Sequence, residues 1–294
     1  MPPRPALVVA LALGASALTP VHASAQGPQL RWSESWQRVH PASYAATTIG
    51  ISTSLLVDQL YEQSPDANLR GGWAFDDDVR RSLRAPTHED RERAAAMSDV
   101  LLGVLLAWPV LDSLALAGIA RQSPDVAWQL TSVLAEVIAA DFVLSTLIKL
   151  FAHRERPHGD ACTLADRRTN PDRCGTRGRN RSFYSGHASA AFSSAGAVCM
   201  SHAFVPLWGD AGADAFACGG ALALASIVGV LRVLADRHWA SDVIGGSLIG
   251  LATGLLLPYL LHYGWDPSDA PPTPVATSPL REAQPLMFSY RGSF

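Results

Sequence analysis

The chain has few cysteines and no surplus of basic residues. Its 294 residues include four cysteines, none in the close pairs that structural zinc sites use, so the sequence does not indicate a zinc domain. Lysine and arginine number 23 against 26 aspartates and glutamates, a net charge of -3. This balance leaves no general basic surface for nucleic acid. No internal repeat is visible, so nothing indicates a repeat architecture.

Hydrophobic residues make up 48% of the chain and are grouped in long runs. Most runs approach the roughly 20 residues that cross a bilayer as a helix. Four carboxylates, Asp99, Asp112, Glu136 and Asp141, interrupt two of the runs. A helical bundle that buries its apolar faces against itself would tolerate these carboxylates equally well. We therefore predict an all-α, six-helix bundle and favour a membrane-embedded one. The runs are 45–61, 98–120, 126–151, 188–207, 213–235 and 243–262.

The first 25 residues have the pattern of an export signal. Arg4 precedes an apolar stretch from 6 to 18, which is short for a membrane span, and Ala23 to Ala25 fits a cleavage site. We predict four regions along the chain. They are a signal peptide at 1–25, an N-terminal polar or interfacial region with one short apolar helix at 26–96, a helical core at 97–263 and a Pro-rich tail at 264–294.

An oxidising compartment would allow the cysteines to pair. Cys162 and Cys174 share one polar loop and are the candidate disulfide. Cys199 and Cys218 lie in two apolar runs and form either a second bridge or two buried thiols.

The segment after the fifth apolar run carries a histidine and a carboxylate at helical spacing. His238 and Asp242 are four residues apart, which places them on one face of a helix. A carboxylate there can accept the Nδ1 proton and leave Nε2 free as a nucleophile. Arg232 lies just upstream and offers a planar fork to phosphate. Alone, the segment fits a capped helix with a surface His-Asp pair equally well.

Two further clusters add an anion site and positive charge. Ser185-Gly186-His187 precedes an apolar helix, whose free N-terminal amides favour an anion, with His187 placed to act as a general acid. Lys149 and Arg156 flank the end of a long run, which Pro157 terminates. Such cations can stabilise charge in phosphoryl transfer, although each cluster alone also fits a turn or a dipole-complementing helix end. Asp76-Asp77-Asp78, in contrast, fits a solvated helix start better than a metal site.

Taken in order, the three clusters resemble the signature of the type 2 phosphatidic acid phosphatase superfamily. The matched motifs are Lys149-x6-Arg156-Pro157, Ser185-Gly186-His187 and Arg232-x5-His238-x3-Asp242, and the resemblance covers about 98–263. This family contains membrane lipid phosphate phosphatases, soluble bacterial acid phosphatases and vanadium-dependent haloperoxidases on one core of six helices.

The resemblance implies a role for each matched residue. His238 would be the nucleophile that forms a phosphohistidine, Asp242 would orient it, and His187 would be the general acid. No metal or cofactor is implied. The chain departs from the pattern at Tyr184, where the family has proline, and at Leu231, where it has serine, which affects loop rigidity and one phosphate hydrogen bond. The implied phosphate-binding residues are Lys149, Arg156, Ser185, Gly186 and Arg232.

We therefore expect a phosphatase acting on a phosphate monoester or pyrophosphate, with a lipid as the favoured substrate and its site on the periplasmic face of a bacterial inner membrane. Its partners would be the phosphorylated lipid or small ester and the membrane, without nucleic acid. The Arg-rich loop at 153–181 opposes this orientation under the positive-inside rule. The alternatives are a soluble periplasmic acid phosphatase, a vanadium-dependent haloperoxidase and a non-catalytic phosphate-binding protein.

Overall fold

The computed structural model describes residues 29–60, 67–161 and 179–264, and within these ranges it is all-α. One π-helical segment, Asp112–Ala120, extends the third α-helix, and a second π-helical segment, Tyr259–Tyr263, extends the last α-helix. A 3-10 turn, Pro157–Ala161, follows the fourth α-helix. The described residues form seven α-helices, which are α1 (Pro41–Leu60), α2 (Asp76–Leu83), α3 (His88–Leu111), α4 (Pro124–Ala152), α5 (Gly186–Phe204), α6 (Ala211–Leu234) and α7 (Ala240–Pro258).

The all-α fold is confirmed, with one helix more than predicted. Each of the six apolar runs forms a helix, and the additional one, α2, is short and charged, so no apolar run marks it. The third helix begins at His88, ahead of the predicted core boundary at 97, because Thr87 caps it: its Oγ accepts the Asp90 amide at 3.1 Å. The predicted signal peptide, the Cys162–Cys174 pair and the tail from 265 onward lie outside the described residues.

The main helices run up and down, so their ends collect at two ends of the bundle. The motif end holds the last turn of α4, the first turns of α5 and α7, and the last turn of α6. There the Ser185 amide donates to the Asp242 carbonyl at 3.0 Å. At the opposite end, Arg121 donates to the Leu207 carbonyl at 3.0 Å. All three sequence motifs therefore meet at one end.

Small residues allow α5 and α7 to pack in direct backbone contact. A Cβ added at Gly250 or Gly254 would clash with the carbonyl oxygens of Ser189 and Ser193 on α5. The glycines repeat every fourth residue, so they form one face of α7. This close contact fixes the start of α5 against the start of α7, where two of the motifs lie.

The carboxylates that interrupt the apolar runs are paired across helices. Asp112 and Asp214 both contact the ring of His202, at 3.1 and 2.6 Å. Glu136 accepts from His262 in the same way. Buried polar groups in an apolar bundle require such partners, so Asp112, Asp214 and Glu136 face the interior.

The opposite end is closed by aromatic residues and a disulfide. Phe204 stacks on Tyr263 with ring centroids 4.3 Å apart, and Trp32 and Trp36 pack beside them. Cys199 of α5 is bonded to Cys218 of α6. Of the two alternatives for these cysteines, the structure therefore shows the bridge.

Three helical segments among the described residues are long and apolar enough to cross a membrane. They are His88–Ala120, Ala211–Leu234 and Ala240–Tyr263, with mean hydropathies of 2.1, 2.0 and 1.8. Large apolar side chains also project outward, among them Val100 and Leu248, 65% and 64% exposed. An outward-facing apolar surface of this kind is typical of a membrane protein.

Candidate active site

His238 lies buried in the short loop between α6 and α7. Its Nδ1 is 2.8 Å from the backbone carbonyl oxygen of Ser182. A carbonyl oxygen only accepts hydrogen bonds, so Nδ1 carries the proton of the neutral ring. Nε2 therefore bears the lone pair, as a nucleophile requires.

Asp242 reaches His238 through Ser182. Its Oδ2 is 3.8 Å from the His238 Nδ1, too far for the direct hydrogen bond that the spacing suggested. Oδ2 instead accepts the Ser182 hydroxyl and, at 2.9 Å, the Trp239 amide. Because Ser182 donates to Asp242 with its side chain and accepts from His238 with its carbonyl, the carboxylate holds the residue that orients the ring.

A fully buried arginine joins Asp242 to the N-terminal part of the chain. Arg154 donates from Nη1 to Asp242 Oδ1 at 2.6 Å and from Nη2 to Asp76 Oδ2 at 2.7 Å. Its guanidinium also stacks on Trp73, 3.8 Å from the ring centroid. Asp76 is completely buried, so the prediction of a solvated helix start is wrong for this residue. Hydrogen bonds from Ser241, Trp73 and Arg154 outweigh the effect of burial and lower the pKa of Asp76.

His187 lies in the first turn of α5 and shares a carboxylate with Arg232 of α6. Its Nε2 is 2.8 Å from Asp99 Oδ1, and Arg232 Nη1 donates to the same oxygen at 2.9 Å. Asp99 belongs to α3, so three helices supply this cluster. The Asp99 side chain is 61% exposed, while that of Arg232 is 8% exposed.

The lysine of the first motif lies against the second motif. A Cβ added at Gly186 would lie 2.7 Å from Lys149 Nζ, so a larger residue there would displace the ammonium group from its present position. Nζ donates to Ser145 Oγ at 2.7 Å. Ser185 is fully buried and caps α5, because its Oγ accepts the Ala188 amide at 3.4 Å. Lys149, Ser185 and Gly186 are thus brought together, as the sequence suggested.

Several buried guanidinium nitrogens at this end have no acceptor. Among the described residues, the Nε atoms of Arg156, Arg232 and Arg237 are buried without a hydrogen-bond partner. Unsatisfied buried donors are costly, and clustered cationic donors are typical of an anion site. Burial and the charges of Arg232 and Arg237 lower the pKa of Arg156 to about 9. The cluster therefore offers charge and free donors to an anion.

The same charges keep both histidines neutral. Burial, then the charges of Arg156 and Arg232, lower the pKa of His238 well below its ordinary value. Burial and Arg232 lower the pKa of His187 to about 4, although Asp99 acts in the opposite direction. A neutral His238 can attack an electrophile at neutral pH, and an arriving anion would favour a proton on His187.

Four residues that position this site were not predicted in that role: Asp76, Asp99, Arg154 and Ser182. Arg154 falls between Lys149 and Arg156, so a basic segment signals its neighbourhood. Ser182 stands three residues before Ser185 and carries no signal of its own. Asp76 and Asp99 are distant in sequence from every motif, and only the fold brings them to the site.

Comparison with known proteins agrees with this geometry. A family model described as the PAP2 superfamily matches residues 129–266, a segment that contains all three motifs. No curated protein and no solved structure matches the chain. The segment 129–266 of this chain belongs to the PAP2 superfamily, the type 2 phosphatidic acid phosphatases whose signature the motifs resemble.

Proposed function

We propose that the protein hydrolyses the terminal phosphate of a lipid through a phosphohistidine intermediate. Membership of the PAP2 superfamily supports a phosphatase-type activity in general. One observation carries the finer proposal: His238, with its Nδ1 proton held by Ser182, lies within electrostatic range of Arg156, Arg232 and Lys149. A nucleophile surrounded by cations is suited to an anionic phosphorus centre.

Binding comes first. The phosphate oxygens would take the unsatisfied donors of Arg156 and Arg232, the Lys149 ammonium group and the amides at the start of α5. These groups neutralise the negative charge that otherwise repels a nucleophile. They also stabilise the charge on the equatorial oxygens during transfer.

Two chemical steps follow, starting from the complex in which the bound anion has favoured uptake of a proton by His187. The Nε2 lone pair of His238 forms a bond to phosphorus while the bond to the leaving oxygen breaks, and the protonated His187 donates its proton to that oxygen. The alcohol departs, leaving phosphohistidine and a neutral His187. Water then attacks phosphorus while His187 takes its proton, the bond to His238 breaks, and phosphate leaves. Both histidines return to their starting states.

Exposed apolar side chains near the site support a lipid substrate. Met97 and Val100 lie two residues before and one residue after Asp99 and are 55% and 65% exposed, and Val230, two residues before Arg232, is 50% exposed. An acyl chain lying against this surface would place its phosphate near the cations. The outward-facing apolar surface of the bundle gives such a substrate access from a bilayer.

A substrate panel tests this proposal. The full chain, purified in detergent, would be assayed with a phosphorylated lipid and with p-nitrophenyl phosphate. We expect kcat/KM to be higher for the lipid, and His238→Ala to lose at least roughly a thousandfold on both. Activity in His238→Ala close to that of the unchanged protein would refute the mechanism. A preference for the soluble ester would refute the lipid assignment alone.

We place the site on the periplasmic side of the inner membrane, and one observation favours the soluble alternative. The Cys199–Cys218 bridge supports an oxidising compartment, but it lies at the end of the bundle opposite the motifs. The motif end carries many arginines, which in a membrane protein favour the cytoplasmic side. A soluble periplasmic acid phosphatase has both ends in one compartment and avoids this conflict. Arginines with contacts at the motif end include Arg80, Arg84, Arg154, Arg179 and Arg237.

Fractionation and labelling separate these placements. Release by osmotic shock without detergent would support the soluble phosphatase, and retention in membranes would support the embedded one. In the retained case, a cysteine introduced as Ser82→Cys, on exposed Ser82 of α2, should react with an impermeant maleimide in intact cells. Reaction only after permeabilisation would place the motif end in the cytoplasm and overturn the periplasmic proposal.

A further inference from the structure

Asp99 connects two groups with different predicted tasks. One of its two carboxylate oxygens, Oδ1, contacts both the His187 ring, at 2.8 Å, and the Arg232 guanidinium, at 2.9 Å. In the proposed reaction His187 handles the proton and Arg232 holds the phosphate. The carboxylate approaches from α3 and is largely exposed, whereas Arg232 is buried. Asp99 therefore lies on the open side of the site.

A structural ion pair between α3 and α6 is the simplest alternative. Those helices are already joined by apolar packing of Ala94 and Ala95 against Leu231 and Leu234. Ion pairs with one largely exposed partner contribute little to stability. The packing of the two helices therefore does not require Asp99.

The charge around His187 explains what a carboxylate would do there. Burial and the positive charges of Arg232 and Arg156 make the protonated form of the ring unfavourable. His238, the neighbouring titratable group, is itself neutral. Asp99 is the group that favours the imidazolium, by its charge and by its hydrogen bond. A general acid needs that form before it can donate.

We propose, as an extension of the proposed function, that Asp99 is a positioning residue for His187: it fixes Nε2 and keeps the ring able to carry the proton given to the leaving oxygen. With Nε2 held by Asp99, Nδ1 is the ring atom left to exchange that proton. In phosphoryl transfer the proton moves from Nδ1 to the leaving oxygen as the phosphorus-oxygen bond breaks. In hydrolysis Nδ1 takes a proton from the attacking water.

Leaving-group dependence tests this role. An alkyl phosphate needs a proton on its leaving oxygen, whereas p-nitrophenolate leaves without one. For Asp99→Asn in the full-length protein, we expect kcat/KM for an alkyl phosphate to fall by roughly 10-fold or more. The value for p-nitrophenyl phosphate should change by less than about 3-fold, because that leaving group does not depend on general acid catalysis. Asp99→Glu should restore part of the selective loss.

Glu89→Gln is the matched control, because Glu89 is also an exposed carboxylate of α3 paired with an arginine. This substitution should leave kcat/KM unchanged for both substrates. Equal losses on both substrates in Asp99→Asn, with or without a lower melting temperature, would make Asp99 structural and overturn the inference. No loss on either would also overturn it. If the unchanged protein hydrolyses neither ester, the proposed function itself fails, which is a distinguishable result.

Discussion

The carbonyl oxygen of Ser182 and the Nδ1 atom of His238 are 2.8 Å apart, and this contact sets the tautomer of the buried histidine. Nucleophilic histidines are commonly oriented by a group that accepts the proton on the other ring nitrogen. Here a backbone carbonyl fills that position, and Asp242 acts on it through the Ser182 hydroxyl. The orientation of His238 therefore depends on the loop before α5 as well as on α7.

Replacement of Arg154 should strongly destabilise the protein. Arg154→Met leaves Asp76 and Asp242 buried without their shared cation, and breaking such a pair costs about 3–5 kcal/mol in the free energy of unfolding. Denaturation followed by helical circular dichroism would measure it. Arg93→Met, which removes an exposed pair with Glu89, should cost less than about 1 kcal/mol. Similar costs for the two variants would contradict the buried network.

Substitution of Gly250 should separate α5 from α7. The Cβ of Gly250→Ala would clash with the Ser189 carbonyl, so we expect a loss of roughly 1–3 kcal/mol and a parallel loss of activity. Gly103→Ala is the control, because an added Cβ there meets nothing within 4 Å. An alanine in that helix should be neutral or slightly stabilising. Equal melting temperatures for both variants would show that the helices do not pack as closely as described.

The pH profile should depend on the charge of Arg156. His238 attacks when neutral, and burial with the charge of Arg156 lowers its pKa, so the acid limb of kcat/KM should lie below the ordinary histidine value of about 6.5. Arg156→Gln removes a positive charge that disfavours the imidazolium. The pKa of His238 should therefore rise, and the acid limb should move to higher pH. A limb that stays in place would report titration of the substrate instead.

Replacing exposed apolar side chains near the site should reduce the hydrolysis of lipid substrates and leave that of soluble esters unchanged. Val100→Ser places a polar group on the surface beside Asp99 and removes roughly 1 kcal/mol of apolar contact with an acyl chain. We therefore expect kcat/KM for a phosphorylated lipid to fall by about 3- to 10-fold. The value for p-nitrophenyl phosphate should not change. Ile119→Ser, at an equally exposed position far from the motifs, is the control. Equal effects of both variants on the lipid would argue against binding at Val100.

Much of the architecture could be predicted because apolar runs mark helices directly. All six predicted runs form helices, and the three motifs that the resemblance assigns to one site meet at one end of the bundle. There Lys149 lies against Gly186, and the Ser185 amide donates to the Asp242 carbonyl. Short α2 begins at the helix start predicted at Asp76, but it was not counted among the six helices because its charged sequence shows no apolar run. The sequence left two alternatives for Cys199 and Cys218, a bridge or two thiols, because spacing along the chain does not determine whether two helices meet.

The supporting residues of the site could not be predicted for a similar reason. The four-residue spacing of His238 and Asp242 suggested a direct hydrogen bond, but the start of α7 leaves them 3.8 Å apart and Ser182 fills the position. Asp76 and Asp99 reach the site through tertiary packing, which local patterns do not encode. The spacing of His238 and Asp242 indicated that the two residues lie close together, whereas the loop conformations determine which of their atoms form hydrogen bonds.

Trapping of the phosphorylated protein tests the central claim most directly. The full chain would be mixed with a radiolabelled phosphate ester, quenched within milliseconds and analysed for protein-bound phosphate. We predict one labelled residue, His238, with the acid-labile and alkali-stable bond of a phosphohistidine, and no label in His238→Ala. Label retained in His238→Ala, or an acid-stable bond to another residue, would contradict the account.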